Sequence, residues 1–174
     1  MPAMPERVES GIIFDATVLS NFARTGQVHH LERLYAGRAW TTLMVVEEIH
    51  RGVEAGYSGL EIIQRSLGPS GWVTVTAPET PEEQGLYVDL LATLGSGEAS
   101  CMAIGRMHKL LVATDDRAAR LRAAELGVRV TGTLGILVRL VQEEHLPLTD
   151  ANELLMHMRQ LGYYSPMDEL DPEN

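Results

Sequence analysis

The stretch Gly11-Ile12-Ile13-Phe14-Asp15-Ala16-Thr17-Val18-Leu19 joins a short apolar run to a carboxylate. Three successive apolar residues, with no alternating polar ones, are typical of a strand that is buried on both faces of a parallel sheet. Apolar residues then continue at helical spacing as far as Phe22. The stretch therefore predicts a buried strand that leads directly into a helix, which is the building unit of α/β folds.

The same alternation of strand and helix continues along the chain. Further strands are predicted at 38–41, 72–76, 110–114 and 128–131. Further helices are predicted at 28–35, 43–56, 82–94, 97–109, 117–126, 134–144 and 152–161. We therefore expect a three-layer α/β sandwich, with a central parallel sheet flanked by helices. Residues 11–162 form its single domain, between an N-terminal extension at 1–10 and an acidic C-terminal tail at 163–174.

Composition narrows the class of protein. The chain has 174 residues, of which 45% are hydrophobic and 22% are charged, as in ordinary globular domains. Its 14 Lys and Arg against 24 Asp and Glu give a net charge of −10, so any contact with nucleic acid must be local or metal-assisted.

The single cysteine, Cys101, excludes an intramolecular disulfide framework. No apolar run approaches the roughly 20 residues of a membrane span, and we expect a soluble, cytoplasmic protein.

Acidic residues lie where predicted strands end or where helices begin. They are Asp15, Glu48, Glu98, Asp115 and Asp116. Ligands of open α/β sheets bind at the carboxyl ends of the strands, so these carboxylates are expected to converge. Converging carboxylates repel one another and need a cation, and hard oxygen ligands suit Mg²⁺ or Mn²⁺. This pattern indicates metal-assisted chemistry on phosphate esters.

Each of these acids also has a purely structural explanation. Asp15 and Asp116 can serve as helix caps, and Glu98 can complement a helix dipole. Glu48 can be an exposed helix residue. The set of acids is more informative than any one of them, because they follow separate elements that a parallel sheet brings to one edge.

Four segments, in this order, resemble the four acidic positions of PIN domains. They are Ile12–Phe22, Val45–Ile49, Gly95–Ala99 and Leu111–Arg117. The Asp-Asp-Arg step at 115–117, followed by Val130–Gly135, is similar to small prokaryotic PIN proteins related to VapC-type toxins. The resemblance spans roughly Gly11 to Leu161, which is nearly the whole chain.

The resemblance implies a metal-dependent endoribonuclease that uses one or two Mg²⁺ or Mn²⁺ ions. The catalytic residues that it implies are Asp15, Glu48, Glu98 and Asp116. The metal ligands would be drawn from Asp15, Glu98, Asp116 and Asp115, with either member of the Asp-Asp pair facing the pocket. Glu48 matches the family spacing better than Glu47, because it directly precedes the apolar Ile49. Thr17 and Thr114 are expected to orient these carboxylates, and a first-turn hydroxyl is the alternative role for Thr17.

The resemblance also implies partners. RNA is the expected substrate, an antitoxin protein is a possible partner, and small PIN proteins usually form homodimers. Arg117 and Arg120 lie one helical turn apart and can contact phosphates, although a solvated helix face explains them equally well. The alternative from another class is a catalytically silent PIN-like module that binds nucleic acid or protein. Tight binding of a divalent ion distinguishes the enzyme from the module.

Overall fold

A computed structural model describes residues 11–171, and the expectations for residues 1–10 and 172–174 lie outside this range. The described residues form one five-stranded parallel sheet. Its strands are β1 (Ile12–Phe14), β2 (Ala39–Thr42), β3 (Val73–Thr76), β4 (Leu111–Ala113) and β5 (Val130–Thr131). Strand β5 therefore begins two residues later than the strand predicted at 128–131.

Helices connect all successive strands. They are α1 (Ala16–Arg24), α2 (Val28–Tyr35), α3 (Leu43–Glu54), α4 (Glu61–Ser66), α5 (Pro81–Leu90), α6 (Ser96–His108), α7 (Arg117–Leu126), α8 (Thr133–Gln142) and α9 (Leu148–Gln160). Helix α4 was not predicted, because six residues are too few to show a helical period. Helix α9 begins four residues before the predicted start at 152, directly after Pro147, which is well suited to a position at a helix start.

The order of the strands in the sheet is β3-β2-β1-β4-β5. The chain adds strands on one side of β1 and then crosses to the other side to form β4, so the order reverses between β1 and β4. Phe14 pairs with Ala113, and the amide of Asp15 donates to the carbonyl of Ala113 at 3.0 Å. The residues after β1 and β4 therefore meet at the switch point, where α/β folds usually bind ligands.

Apolar burial fixes this central strand pair. All three residues of β1 are fully buried, as expected for a strand covered on both faces. Helix α6 packs against β1, β2 and β4, and its glycine at 105 lies so close to Val112 that a side chain there would overlap the strand. Among the helices, α1 contacts α2, α3, α4 and α9, and α9 also packs on α8. The prediction of an α/β sandwich with a central parallel sheet is confirmed.

The segment after α9 lies on the domain. The amide of Tyr163 donates to the carbonyl of Met158 at 3.0 Å. Leu170 is buried, and its amide donates to Oδ1 of Asn152 at 2.7 Å. The acids of this segment are exposed, and Asp168 pairs with Arg159 at 2.7 Å. The described part of the expected acidic tail is thus tied to α9 by its backbone and by one apolar side chain.

Within residues 11–171, no helix combines the length and the apolar character needed to cross a membrane.

Candidate active site

Asp15 is the N-cap of α1 and lies at the centre of the sheet edge. Its Oδ1 accepts hydrogen bonds from the amides of Thr17 and Val18, at 2.9 and 3.2 Å, and from the Thr17 hydroxyl at 2.6 Å. Its Oδ2 is buried and has no hydrogen-bond partner among residues 11–171. The carboxylate is only 1% exposed. One oxygen therefore fixes the side chain, and the other makes no hydrogen bond, although the Thr114 hydroxyl also interacts with the carboxylate.

Burial raises the pKa of Asp15 from its ordinary value of 3.8 to about 7. Interactions with the Thr114 and Thr17 hydroxyls and the Val18 amide oppose this increase, and the charge of Asp115 adds to it. The cause is desolvation of the charged form, which hydrogen bonds to one oxygen only partly offset. Asp15 consequently titrates close to neutral pH in the folded chain.

Asp115 connects three elements. Its Oδ1 accepts from the amide of Thr133 at 2.9 Å, and its Oδ2 accepts from the Thr133 hydroxyl at 2.6 Å and from Nδ2 of Asn21 at 3.1 Å. The hydroxyl of Tyr163 also lies against this carboxylate, and burial and the charge of Asp115 raise the pKa of Tyr163. Both oxygens of Asp115 thus accept hydrogen bonds from groups of the protein.

Asp116 is the N-cap of α7. Its Oδ1 accepts from the amide of Ala119 at 2.7 Å, and its own amide donates to the Thr114 hydroxyl at 3.1 Å. Oδ2 takes no part in this cap. Asp15 and Asp116 therefore share one arrangement, in which the helix N-terminus holds one oxygen and the second oxygen is left for a ligand.

Glu48 and Glu98 lie together on the neighbouring helices α3 and α6. They line a cleft of about 300 Å³, together with Thr17, Arg24 and Tyr57. Burial and the charge of Glu98 raise the pKa of Glu48, while Arg51 lowers it. Like charges this close indicate a site that attracts a proton or a cation.

Gly97 makes room for this pair. A methyl group at this position would overlap Oε2 of Glu48 and would lie 3.3 Å from Val45. The missing side chain therefore allows the Glu48 carboxylate to lie against the first turn of α6, next to Glu98.

The acids lie around one region, but their carboxylates do not meet at a single metal position. Burial is the largest cause of the raised pKa of the Cys101 thiol. The charges of Asp15, Glu98 and Glu48 raise this pKa further, so all three acids lie near the thiol. Among residues 11–171, however, no three His, Cys, Asp or Glu side chains are grouped closely enough to hold a metal ion. The expected convergence is thus partial, because helix N-termini hold Asp15, Asp115 and Asp116 individually.

Arg117 and Arg120 line a second cleft, of about 510 Å³, on the other side of Asp115. Tyr163, Tyr164 and Gly132 complete it, and we call it the arginine–tyrosine cleft. Nη1 of Arg120 donates to the carbonyl of Thr114 at 2.9 Å, which holds the guanidinium at the sheet edge.

Sequence reasoning missed several residues that line the two clefts or hold Asp115 by hydrogen bonds. They are Asn21, Arg24, Tyr57, Thr133, Tyr163 and Tyr164. Thr133 comes shortly after a strand, as Asp15 and Asp115 do, so its place in the sequence could have marked it as a site residue. The two tyrosines at 163 and 164 lie in a segment whose position depends on contacts with α9, which no local pattern reveals.

A comparison with known families identifies the fold. A family model described as PIN domain matches residues 11–171. The chain belongs to the PIN-domain family. No curated protein matches the chain significantly in sequence. PIN domains have a nuclease-type fold and are generally nucleases that typically use divalent metals.

The donor chemistry of this PIN domain suits a hard divalent cation, although no three donors among residues 11–171 are grouped as a metal site. The available donors are carboxylate oxygens, which Mg²⁺ and Mn²⁺ prefer. The buried Oδ2 of Asp15, which has no hydrogen-bond partner among residues 11–171, is the strongest structural indication of a ligand-binding oxygen. The like-charged Glu48 and Glu98 and the room left at Gly97 agree with it.

The raised pKa of Asp15 predicts how metal-free stability depends on pH. A carboxyl group whose folded pKa lies above its unfolded value loses stability as pH rises between the two values. Asp15→Asn keeps the cap and removes the charge. Its stability advantage over the wild type should grow by about 2–3 kcal/mol between about pH 5 and about pH 8.5.

Urea unfolding in EDTA at the two pH values measures this difference. Asp89→Asn, at an exposed position of α5, is the matched control and should show no such growth. A difference in unfolding free energy between Asp15→Asn and the wild type that stays constant with pH would contradict the raised pKa of Asp15.

Proposed function

We propose that this PIN domain is an endoribonuclease that hydrolyses RNA phosphodiester bonds and requires Mg²⁺ or Mn²⁺. The observation that carries the proposal is the buried Oδ2 of Asp15, which has no partner among residues 11–171 and lies at the switch point of the sheet. A buried carboxylate oxygen without a partner is costly, and a metal ion that uses it offsets this cost.

The proposed ligands are Asp15, Glu98 and Asp116. Asp15 and Asp116 each keep an oxygen that their helix caps do not use. The hydrogen bonds of Asp115 occupy both of its oxygens, so we assign it the role of positioning the ends of α1 and α8. The structure thus favours Asp116 over Asp115 as the ligand of the Asp-Asp pair.

Bound Mg²⁺ or Mn²⁺ supplies activation of a water molecule and stabilisation of the departing oxygen in this kind of chemistry. Thr17 holds Asp15 in place through two hydrogen bonds, and its hydroxyl also accepts from the Asp115 amide at 3.3 Å. Glu48 is the proposed proton acceptor, since it lies beside Glu98 in the acidic cleft, and burial and the charge of Glu98 raise its pKa above the ordinary value. The toxin role, the antitoxin and the homodimer belong to the proposal through the resemblance alone.

The alternative function is an interaction module that keeps the acids but does not catalyse. Such a module has no need to bind a divalent ion tightly. The unpartnered oxygen of Asp15 favours the enzyme, because no hydrogen bond within residues 11–171 satisfies it and the interaction with the Thr114 hydroxyl only partly offsets burial of the charge.

The first test of the proposal combines metal binding and cleavage. Calorimetric titration with Mn²⁺ should show one or two ions bound by the wild type, and Asp15→Asn and Asp116→Asn should each weaken binding at least tenfold. Asp15→Asn should also abolish metal-dependent cleavage of a mixed RNA pool while the circular dichroism spectrum stays unchanged.

Asp89→Asn is the control for the loss of one negative charge and should bind Mn²⁺ as the wild type does. A wild type that binds no Mn²⁺, or an Asp15→Asn variant that retains cleavage, would contradict the proposal.

Gly97→Ala tests the position of Glu48 without removing a carboxylate. Position 97 is helical, so alanine suits its backbone, but the new methyl group displaces the Glu48 carboxylate. We expect cleavage to fall about tenfold or more, while the free energy of unfolding changes by less than about 1 kcal/mol.

Gly85→Ala is the matched control, because it is also in a helix and its added methyl group meets only open space. It should leave cleavage unchanged and stabilise the chain by about 0.5–1 kcal/mol. Full cleavage by Gly97→Ala would show that the position of Glu48 is not needed.

A further inference from the structure

The arginine–tyrosine cleft combines two cations with two aromatic side chains beside the candidate active site. Arg117 and Arg120 reach it from the first turn of α7, and Tyr163 and Tyr164 reach it from the segment after α9. In a chain with a net charge of −10, this is a local site for an anionic ligand. Arginine with an exposed aromatic side chain is the combination that binds single-stranded nucleic acid.

Tyr164 is exposed to an unusual degree for an aromatic residue. Its side chain is 88% exposed, whereas the neighbouring Tyr163 is partly buried against Asp115. The backbone on both sides is fixed, by the bond from the Tyr163 amide to Met158 and by the turn that the Ser165 hydroxyl closes with Met167 at 2.6 Å. The backbone therefore holds Tyr164 at the surface, and its ring is open to solvent, where a base can stack on it.

Arg120 is held in place but keeps donors for a ligand. One nitrogen, Nη1, donates to the carbonyl of Thr114, and a guanidinium carries five N–H donors. Arg117 is exposed at the first position of α7, where the helix dipole adds positive potential. The two side chains lie one turn apart and suit the oxygens of one phosphate group.

The cleft is continuous with the candidate active site. Asp115 lines the cleft, and its amide donates to the Thr17 hydroxyl, which itself donates to Asp15. On the far side of Thr17 is the acidic cleft of Glu48 and Glu98. The hydrogen-bonded path from Asp115 through Thr17 to Asp15 thus links the two clefts.

We propose that the arginine–tyrosine cleft binds one nucleotide of single-stranded RNA next to the scissile phosphate. The base stacks on Tyr164, and Arg117 and Arg120 hold the phosphate. A base within a duplex cannot stack on a side chain in this way, so the substrate must be unpaired at this position. The inference rests on the proposed ribonuclease function.

The test measures binding by fluorescence anisotropy in EDTA, so that no cleavage occurs. The probes are labelled A12 and U12 RNA strands and the A12·U12 duplex. Tyr164→Ala should weaken binding of both single strands at least fivefold, as expected for one lost stacking contact, and should leave duplex binding unchanged. Tyr164→Phe should bind as the wild type does.

Val88→Ala is the control for loss of an exposed apolar side chain, since Val88 is 62% exposed on α5, which contributes no residue to the cleft. It should bind all probes as the wild type does. Wild-type affinity in Tyr164→Ala, or an equal loss for strand and duplex, would overturn the proposal.

A charge-matched pair of double variants tests the phosphate contacts. Arg117→Ala with Arg120→Ala should make the slope of log affinity against log salt shallower by about 0.7, because the two arginines hold one phosphate and about 0.7 is expected per phosphate neutralised on a single strand. Arg106→Ala with Arg129→Ala removes the same charge from a cleft at the amino ends of β4 and β5. Equal changes in the two double variants would overturn the assignment of the arginines.

Calorimetry with Mn²⁺ separates this inference from the proposed function. A chain that binds Mn²⁺ but neither single strand overturns the nucleotide subsite and leaves the metal centre standing. A chain that binds single strands through Tyr164 but binds no Mn²⁺ supports the subsite and overturns the metal-dependent nuclease.

Discussion

The parallel pairing of β1 with β4 at the centre of the sheet is the constraint on which the rest of the molecule depends. It reverses the strand order and brings the chain after Phe14 against the chain after Ala113. The carboxylates that follow these strands then lie side by side at the start of two helices. The apolar character of β1 supports the active-site arrangement, because a strand that is buried on both faces requires helices on both sides of the sheet, and these helices begin at the acids.

The same packing creates an energetic conflict at Asp15. The N-terminus of α1 stabilises one oxygen of the carboxylate, while burial disfavours the charge on the other and raises the pKa of the group to about 7. A residue that served only as a cap would be more stable with its second oxygen in solvent. The proposed cation at the buried oxygen would resolve this conflict, and the proposed function rests on that.

Much of this arrangement could be predicted from local sequence. The apolar run ending at Asp15 indicated the strand, the cap and the ligand candidate together, and the helix after Asp116 begins where predicted. The distinction between Asp115 and Asp116 could not be predicted, because it depends on Asn21, which is 94 residues away, and on Thr133. The positions of the two tyrosines in the arginine–tyrosine cleft could not be predicted either. Tertiary contacts with α9, such as the hydrogen bond from the Leu170 amide to Asn152, place the segment that carries them.

The central claim, that the buried oxygen of Asp15 binds a divalent cation, is tested most directly by diffraction from crystals soaked in Mn²⁺, with anomalous data collected for manganese. The account predicts an anomalous peak about 2.1 Å from Oδ2 of Asp15 in the wild type and no peak there in Asp15→Asn. A wild-type peak that lies elsewhere on the chain, or a peak that persists in the Asn variant, would contradict the claim.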